Sequence, residues 1–551
     1  MILMSDHPDL TGTVKNDILH LCRNIMESPA VTSACIYGSR VCGYARRDSD
    51  YDVLLILSDY SEGVRYYYPS TEKVHVACLL VDEELFGMDV SQGSLGEFVA
   101  GRLLSPYIPL TDPGYLRERE IELKTRVILE ELEDLVIQYG ELSRGLVIQA
   151  EYIILSRMKK RMKVYPPLRY SYLNMFSGML RERNFPRIAA GYDEALRRLE
   201  VRGLVKMEGK YITLTDLFID NILRRKTIEK AVNILEFSQR AIHSYLAHGR
   251  AGRVSLDTVA KELTAKLGRE LMVSTPNLRF EDPKQYLHLR TATRLVNLNE
   301  KSSVTEILEK FKPGMKVSVK PLGGALNEVY QAIAGDERFV IKRFSDWFGF
   351  KWFTLNLVVL GTKFFSVSGR ARLANEYGMG SYLLDRRLPA QRLFYISVPE
   401  RVLVKEYVKG TILSDVVREL NGSGQPLAEE VYRETGQFFA NLHAEGIVLG
   451  DSKPENLIYS EGTIIPLDLE QAKKGGNRAW DIAEFLYYLG HYYGVTKEAM
   501  TVVTEHFAEG YTEEGEAAQL RKAAGLNYSK VFSFWTPPQI IHAITSTLKK
   551  M

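Results

Sequence analysis

The sequence predicts a multidomain α+β protein whose folded parts are joined by helical segments, and three observations predict it. The chain has 551 residues, too many for one hydrophobic core, so several domains of ordinary size are expected. Short apolar runs bounded by turn residues mark strands in two separate stretches, near residues 34–81 and 317–343. Helical periodicity dominates between them and again toward the end of the chain. The boundaries read as 1–115, a helical linker 116–160, 161–216, a helical connector 217–300, and 301–551. With 45% hydrophobic and 25% charged residues, the composition excludes a disordered, collagen-like or heavily membrane-embedded chain.

In the first part a helix is expected over residues 14–26, then a strand, Ala34-Cys35-Ile36-Tyr37, ending at Gly38-Ser39. A second strand over 52–57 is almost wholly aliphatic and reads as buried; a third spans 74–81. The four cysteines, Cys22, Cys35, Cys42 and Cys78, have no metal-ligand spacing, so reduced thiols in a cytoplasmic protein are expected. The apolar start is too short for a signal peptide, and the uncharged run 531–548 holds Pro537-Pro538 and His542, which suit a membrane span poorly.

Gly38-Ser39 after a strand can bring backbone and hydroxyl to a triphosphate. Asp50 and Asp52, one residue apart at a strand start, point the same way and could share magnesium ions. These residues resemble the polymerase-β-type nucleotidyltransferases over roughly residues 30–85. The resemblance implies a third carboxylate on the next strand, where this sequence offers His75. A working transferase and a degenerate domain kept for binding nucleotide or RNA both remain open.

Residues 161–216 read as helices followed by a strand, a Glu208-Gly209 turn and a second strand, the pattern of a winged helix-turn-helix. Over 157–210 there are fourteen Lys and Arg against five Asp and Glu, in a chain whose net charge is only +2. Lys159, Lys160, Arg161, Arg187, Arg197, Arg198, Arg202, Lys206 and Lys210 are the candidate contacts to a phosphate backbone, with Tyr165, Tyr170 and Tyr172 placed to stack on bases. A solvated basic face used for protein contact is the alternative.

The last part carries Gly450-Asp451-Ser452-Lys453-Pro454-Glu455-Asn456, then an apolar strand closing on Asp468. This is the protein-kinase spacing: Asp451 can orient and deprotonate a hydroxyl, while Asn456 and Asp468 supply hard oxygens to Mg2+ on ATP. Upstream, in order, stand the loop glycines Gly323 and Gly324, then Lys342 at a strand end for the phosphates, then Glu376 on a helix to pair with Lys342. A hinge-like segment with Glu406 and Tyr407 follows, suited to adenine. An aromatic segment, 347–360, could stack on bases, contact a membrane, or form an inserted helix packed on the small lobe. Arg370 and Arg372 behind it are candidates to face phosphate.

Residues 303–551 resemble the RIO-type and KEOPS-complex kinases. Two departures matter: Leu449 stands where that group has histidine, and only twelve residues separate Asp468 from Asp481, too few for an activation loop with a peptide platform. The three parts in this order resemble the archaeal tRNA kinases that phosphorylate a ribose 2′-hydroxyl. The resemblance implies ATP, Mg2+ and a tRNA or other structured RNA as partner. Transfer of a nucleotide through Asp50 and Asp52, or an ATPase role in RNA or ribosome maturation, are the alternatives.

Overall fold

The fold is that of a computed structural model, which describes residues 12–24, 30–72, 74–225, 280–302, 306, 307, 309, 317–323, 327–346, 368–419, 425–492 and 494–551. Gly324, the segment 347–360 and most of the connector 217–300 lie outside the described residues. Two compact units divide the chain: residues 1–138 with 148–287, and 139–147 with 288–551.

The first unit opens with helix α1 (Gly12–Asn24) and a sheet built from β1 (Val31–Tyr37), β2 (Tyr51–Leu57), β3 (Val64–Tyr67), β4 (Val76–Asp82) and β5 (Ile108–Thr111). The strand order is β3-β4-β2-β1-β5, with β2 and β4 parallel and the other pairs antiparallel. Strand alternation sends Tyr51, Val53 and Leu55 with Val76, Cys78 and Leu80 into one core face. Asp52, Tyr37 and Ala77 lie side by side across the other face. A four-residue helical turn, α2 (Ser39–Cys42), follows Gly38, whose φ of 82° and contact with Asp52 leave no room for a Cβ.

Helices α3 (Glu83–Gln92) and α4 (Pro113–Tyr139) follow. The region 116–160 is not helical throughout: Gly140, at φ 60°, ends α4, and a 3-10 turn and β6 (Leu146–Gln149) precede α5 (Ala150–Val164). Then come α6 (Leu168–Met175), α7 (Gly178–Val201) and the antiparallel hairpin of β7 (Val205–Glu208) and β8 (Tyr211–Leu214), turning at Gly209 with φ 62°.

Beyond residues 139–147, the second unit comprises β9 (Leu287–Arg290) and β10 (Leu295–Asn297), followed by β11 (Val317–Gly323), β12 (Glu328–Ala334), β13 (Glu337–Arg343), helix α8 (Gly369–Asp385), β14 (Leu393–Ser397) and β15 (Val402–Glu406). These last five strands form one antiparallel sheet in the order β11-β12-β13-β15-β14. Its second half is mainly helical, with α9 (Leu413–Glu419), α10 (Gln425–Ala444) and α11 (Arg478–Leu489) around a core that includes Phe439, Leu442, Phe485 and Phe507. The two-residue strand β16 (Thr411–Ile412) leads into α9, and between α10 and α11 run the short strands β17 (Ile447–Val448), β18 (Leu457–Ser460) and β19 (Thr463–Pro466), which place the loops carrying Asp451 and Asp468. Among the described residues, no helix is long and apolar enough to cross a membrane.

Candidate functional site

Strand alternation builds the site. In β13 and β15, Phe339, Ile341, Val402 and Val404 go into the small-lobe core, so Lys342 and Lys405 project together from the other face. There the Lys342 ammonium donates to Glu376 Oε2 of α8 and to Asp468 Oδ2, each at 2.7 Å, and lies 3.2 Å from Glu470 Oε2. Lys405 donates to the other Glu376 oxygen and, at 2.6 Å, to the backbone carbonyl of Leu467. Burial works against the Lys342 charge, but Asp468, Glu376 and Glu470 outweigh it, and its pKa is raised. Burial likewise opposes the Asp468 carboxylate, yet Lys342 and Lys405 hold its pKa down to about 2.

The loop after β17 is held by acids from α11. Asp481 accepts from the amides of Leu449 and Gly450 at 2.6 and 2.9 Å, and Glu484 accepts from the Ser452 amide at 2.9 Å. Gly450, at φ 75°, turns the chain so that Asp451 leaves the core. The Asn456 amide nitrogen donates to the Asp451 carbonyl at 3.0 Å, which leaves its oxygen as a ligand atom. Lys453, which the kinase-type spacing alone does not single out, pairs with Asp451 Oδ1 at 2.9 Å. Burial opposes its charge, Asp451 and Glu484 outweigh that, and its pKa is raised. Its position two residues after Asp451 was the available signal.

Arg372 is committed to partners within the unit. It is wholly buried, with Nη1 donating to Asn327 Oδ1 at 2.9 Å and to Glu470 at 3.1 Å and Nη2 to the Ser345 carbonyl, because Glu470 follows Asp468 into the same enclosed space. Gly323 ends β11, opposite Val329. The Glu406 amide donates to Arg392 O and its carbonyl accepts from Gln391, while its side chain pairs with Arg392. Tyr407 stacks under Arg338, 5.8 Å from ring centroid to guanidinium carbon.

A five-stranded antiparallel sheet with a lysine–glutamate pair to one inserted helix, facing an Asp/Lys/Asn loop and a second aspartate, makes this unit a kinase-like domain. The chain is similar, at 31% identity over 83 residues, to the KEOPS complex subunit Bud32 of Pyrococcus abyssi (strain GE5 / Orsay). That match covers 15% of this chain and 36% of the relative, so the chain spans about a third of that protein's length. No protein-family model matches. Among solved structures, a protein of Ralstonia eutropha JMP134 assigned provisionally as an aminoglycoside phosphotransferase aligns at 12% identity and a TM-score of 0.24, over 45% of this chain and 98% of that one. A score that low adds nothing to the topology above.

The constellation of the first unit is arranged differently. Asp50 is exposed and Asp52 half-buried. The residue beside Asp52 on β4 is Ala77, which offers no ligand atom, and the exposed His75 stands just before the strand. Arg102 is a cation whose charge acts on Asp52. Asp89 accepts from the amides of Leu95, Glu97, Val99 and Ala100, which fixes the turn that carries it. The Arg102 guanidinium lies over the Tyr37 and Phe98 rings at 5.1 and 5.4 Å. Burial opposes the charge, and Tyr37, Tyr66 and Asp52 outweigh it, so its pKa is raised.

The basic region is largely spent inside the unit. Lys160 pairs with Glu131 and Asp134, and Lys159 with Asp282. Arg161 donates to the carbonyls of Gly101 and Glu97, and Arg187 to that of Val41. Arg198 is exposed but bridged to Glu118 and Glu194. Tyr172 is buried against Arg161 and cannot receive a base. Arg197, Arg202, Lys206 and Lys210 are exposed at the end of α7 and on the hairpin. Lys159, Lys160, Lys163 and Lys284 line a cavity of about 610 Å³.

Proposed function

We propose that this protein is an ATP- and Mg2+-dependent kinase whose acceptor is a ribose 2′-hydroxyl of tRNA. The observation that carries the kinase part is the Lys342 ammonium within hydrogen-bond distance of both Glu376 and Asp468. In this reading Lys342 moves from Asp468 to the nucleotide phosphates, and Glu376 keeps it oriented. Asp451 accepts the proton of the attacking hydroxyl, and Lys453 beside it supplies positive charge where the transferred group passes. Asn456 and Asp468 offer hard oxygens that fit Mg2+, which when bound neutralises phosphate charge. Gly323 and Gly324 would cover the phosphates, and Glu406 and Tyr407 would border adenine. Because both backbone groups of Glu406 are already engaged, the segment from Tyr407 onward is the better placed to make the adenine contact.

The short interval between Asp468 and Asp481 disfavours an extended peptide acceptor, and the exposed cations of α7 and the hairpin favour a phosphate backbone. Helices followed by a two-stranded hairpin fit a winged helix serving that contact. The N-terminal sheet fits a nucleotidyltransferase-like domain that has kept its shape for binding and lost its metal-holding acid. Incubation with γ-labelled ATP and tRNA should label the RNA at one nucleotide, detected by mass mapping as an added phosphate. Label only in protein overturns the RNA acceptor.

A further inference from the structure

The kinase-type motif asks for one lysine in the phosphate site, and this chain buries two. Lys405 is 3% exposed and stands on β15, one strand over from Lys342. An ammonium is costly to bury, and an apolar side chain would fill that position at lower cost. Its partners are specific: the Glu376 oxygen that Lys342 does not use, and the carbonyl of Leu467, immediately before Asp468. The enclosed charges are Lys342, Lys405 and Arg372 against Glu376, Asp468 and Glu470, three of each sign.

We propose that Lys405 is a positioning residue of the phosphate site, holding Glu376 and the backbone ahead of Asp468 from the hinge strand. This rests on the kinase reading above. With Lys405 on one Glu376 oxygen, Lys342 is not the only counter-charge of that carboxylate and is released more readily to a nucleotide phosphate. With Lys405 on Leu467, the place of Asp468 is set by the sheet and needs no activation loop. Without Lys405 the enclosed charge becomes net negative, which repels the nucleotide and pulls Lys342 back onto Glu376.

The test is binding of Mg-ATP to the full chain, read with a fluorescent ATP analogue across a Mg2+ titration, for wild type, Lys405→Met, Lys405→Arg and Val404→Ala. Val404 packs into the core on the opposite face of the same strand, so its variant reports loss of packing alone. Lys405→Met should weaken Mg-ATP binding at least tenfold and raise the Mg2+ needed for half-saturation. Lys405→Arg should recover part of both, and Val404→Ala should lower the melting temperature without moving the Mg2+ dependence. Lys405→Met within twofold of wild type overturns the role of Lys405 alone, as does a Val404→Ala variant with the same Mg2+ shift. A wild-type chain that binds no Mg-ATP overturns the kinase reading and this role with it.

Discussion

Two regions of the molecule bring carboxylates to the end of a buried strand, and the cations around them differ in kind. Beside Asp468 the counter-charge is Lys342, a flexible point charge 2.7 Å away that a phosphate can take over. Near Asp52 it is Arg102, whose planar group lies over the rings of Tyr37 and Phe98 and donates to the Tyr66 hydroxyl. In the first arrangement the cation is shared among three carboxylates; in the second it lies over aromatic rings. Acid spacing at a strand end therefore says little about chemistry until the mobility of the neighbouring cation is known.

The largest effect that would break or sharpen this comparison is on phosphoryl transfer. Asp451→Asn and Asp468→Asn should each lower the rate by about 10³-fold or more, with tRNA affinity within a few-fold of wild type. Retained activity in either would remove the second-unit site from the mechanism. Next, Arg372→Met removes one of the two buried cations paired with Glu470 and should cost on the order of 3 kcal/mol of stability, measured by denaturant unfolding. A smaller effect concerns pH. Because the Asp468 pKa is depressed to about 2, its contribution is present above the ordinary carboxylate range and lost as pH falls from about 4 toward 2. Asp468→Asn should flatten the wild-type decline across that window by on the order of 1–2 kcal/mol.

Smaller still, Arg197→Ala should weaken RNA binding a few-fold and reduce the salt slope by about one, and Arg198→Ala less, because Glu118 and Glu194 already hold that guanidinium. Equal losses would mean that RNA competes those bridges away. The smallest expected effect is zero: α-labelled nucleotide should leave no label on RNA or protein. Label that survives Asp451→Asn and is lost in Asp50→Asn would restore the nucleotidyltransferase reading and collapse the contrast between the two sites.

The motif residues Lys342, Glu376, Asp451, Asn456 and Asp468 were legible because their types and order follow from what phosphate and magnesium demand. Lys453 sat in the same motif, unremarked. Lys405, Arg372 and Glu470 were not legible as members of the same cluster. Lys405 ends an apolar strand as a hinge residue would, and only its pairing register with β13 turns it toward Glu376. In the basic region the count of charges was plain, but not which of them were already bound to Glu131, Asp134 or backbone carbonyls.

By itself, then, the sequence determined the α+β class, the strand ends and turns, and the chemical types along each motif, because these depend on near neighbours and on alternation. Only the tertiary structure decided which charges meet, since an ion pair such as Lys405 with Glu376 depends on sheet register and helix placement across 29 residues. The place of Arg102 over Tyr37 depends in the same way on a turn held by Asp89. Burial, which sets the cost of every unpaired charge, is a property of the packed molecule and not of any segment of it.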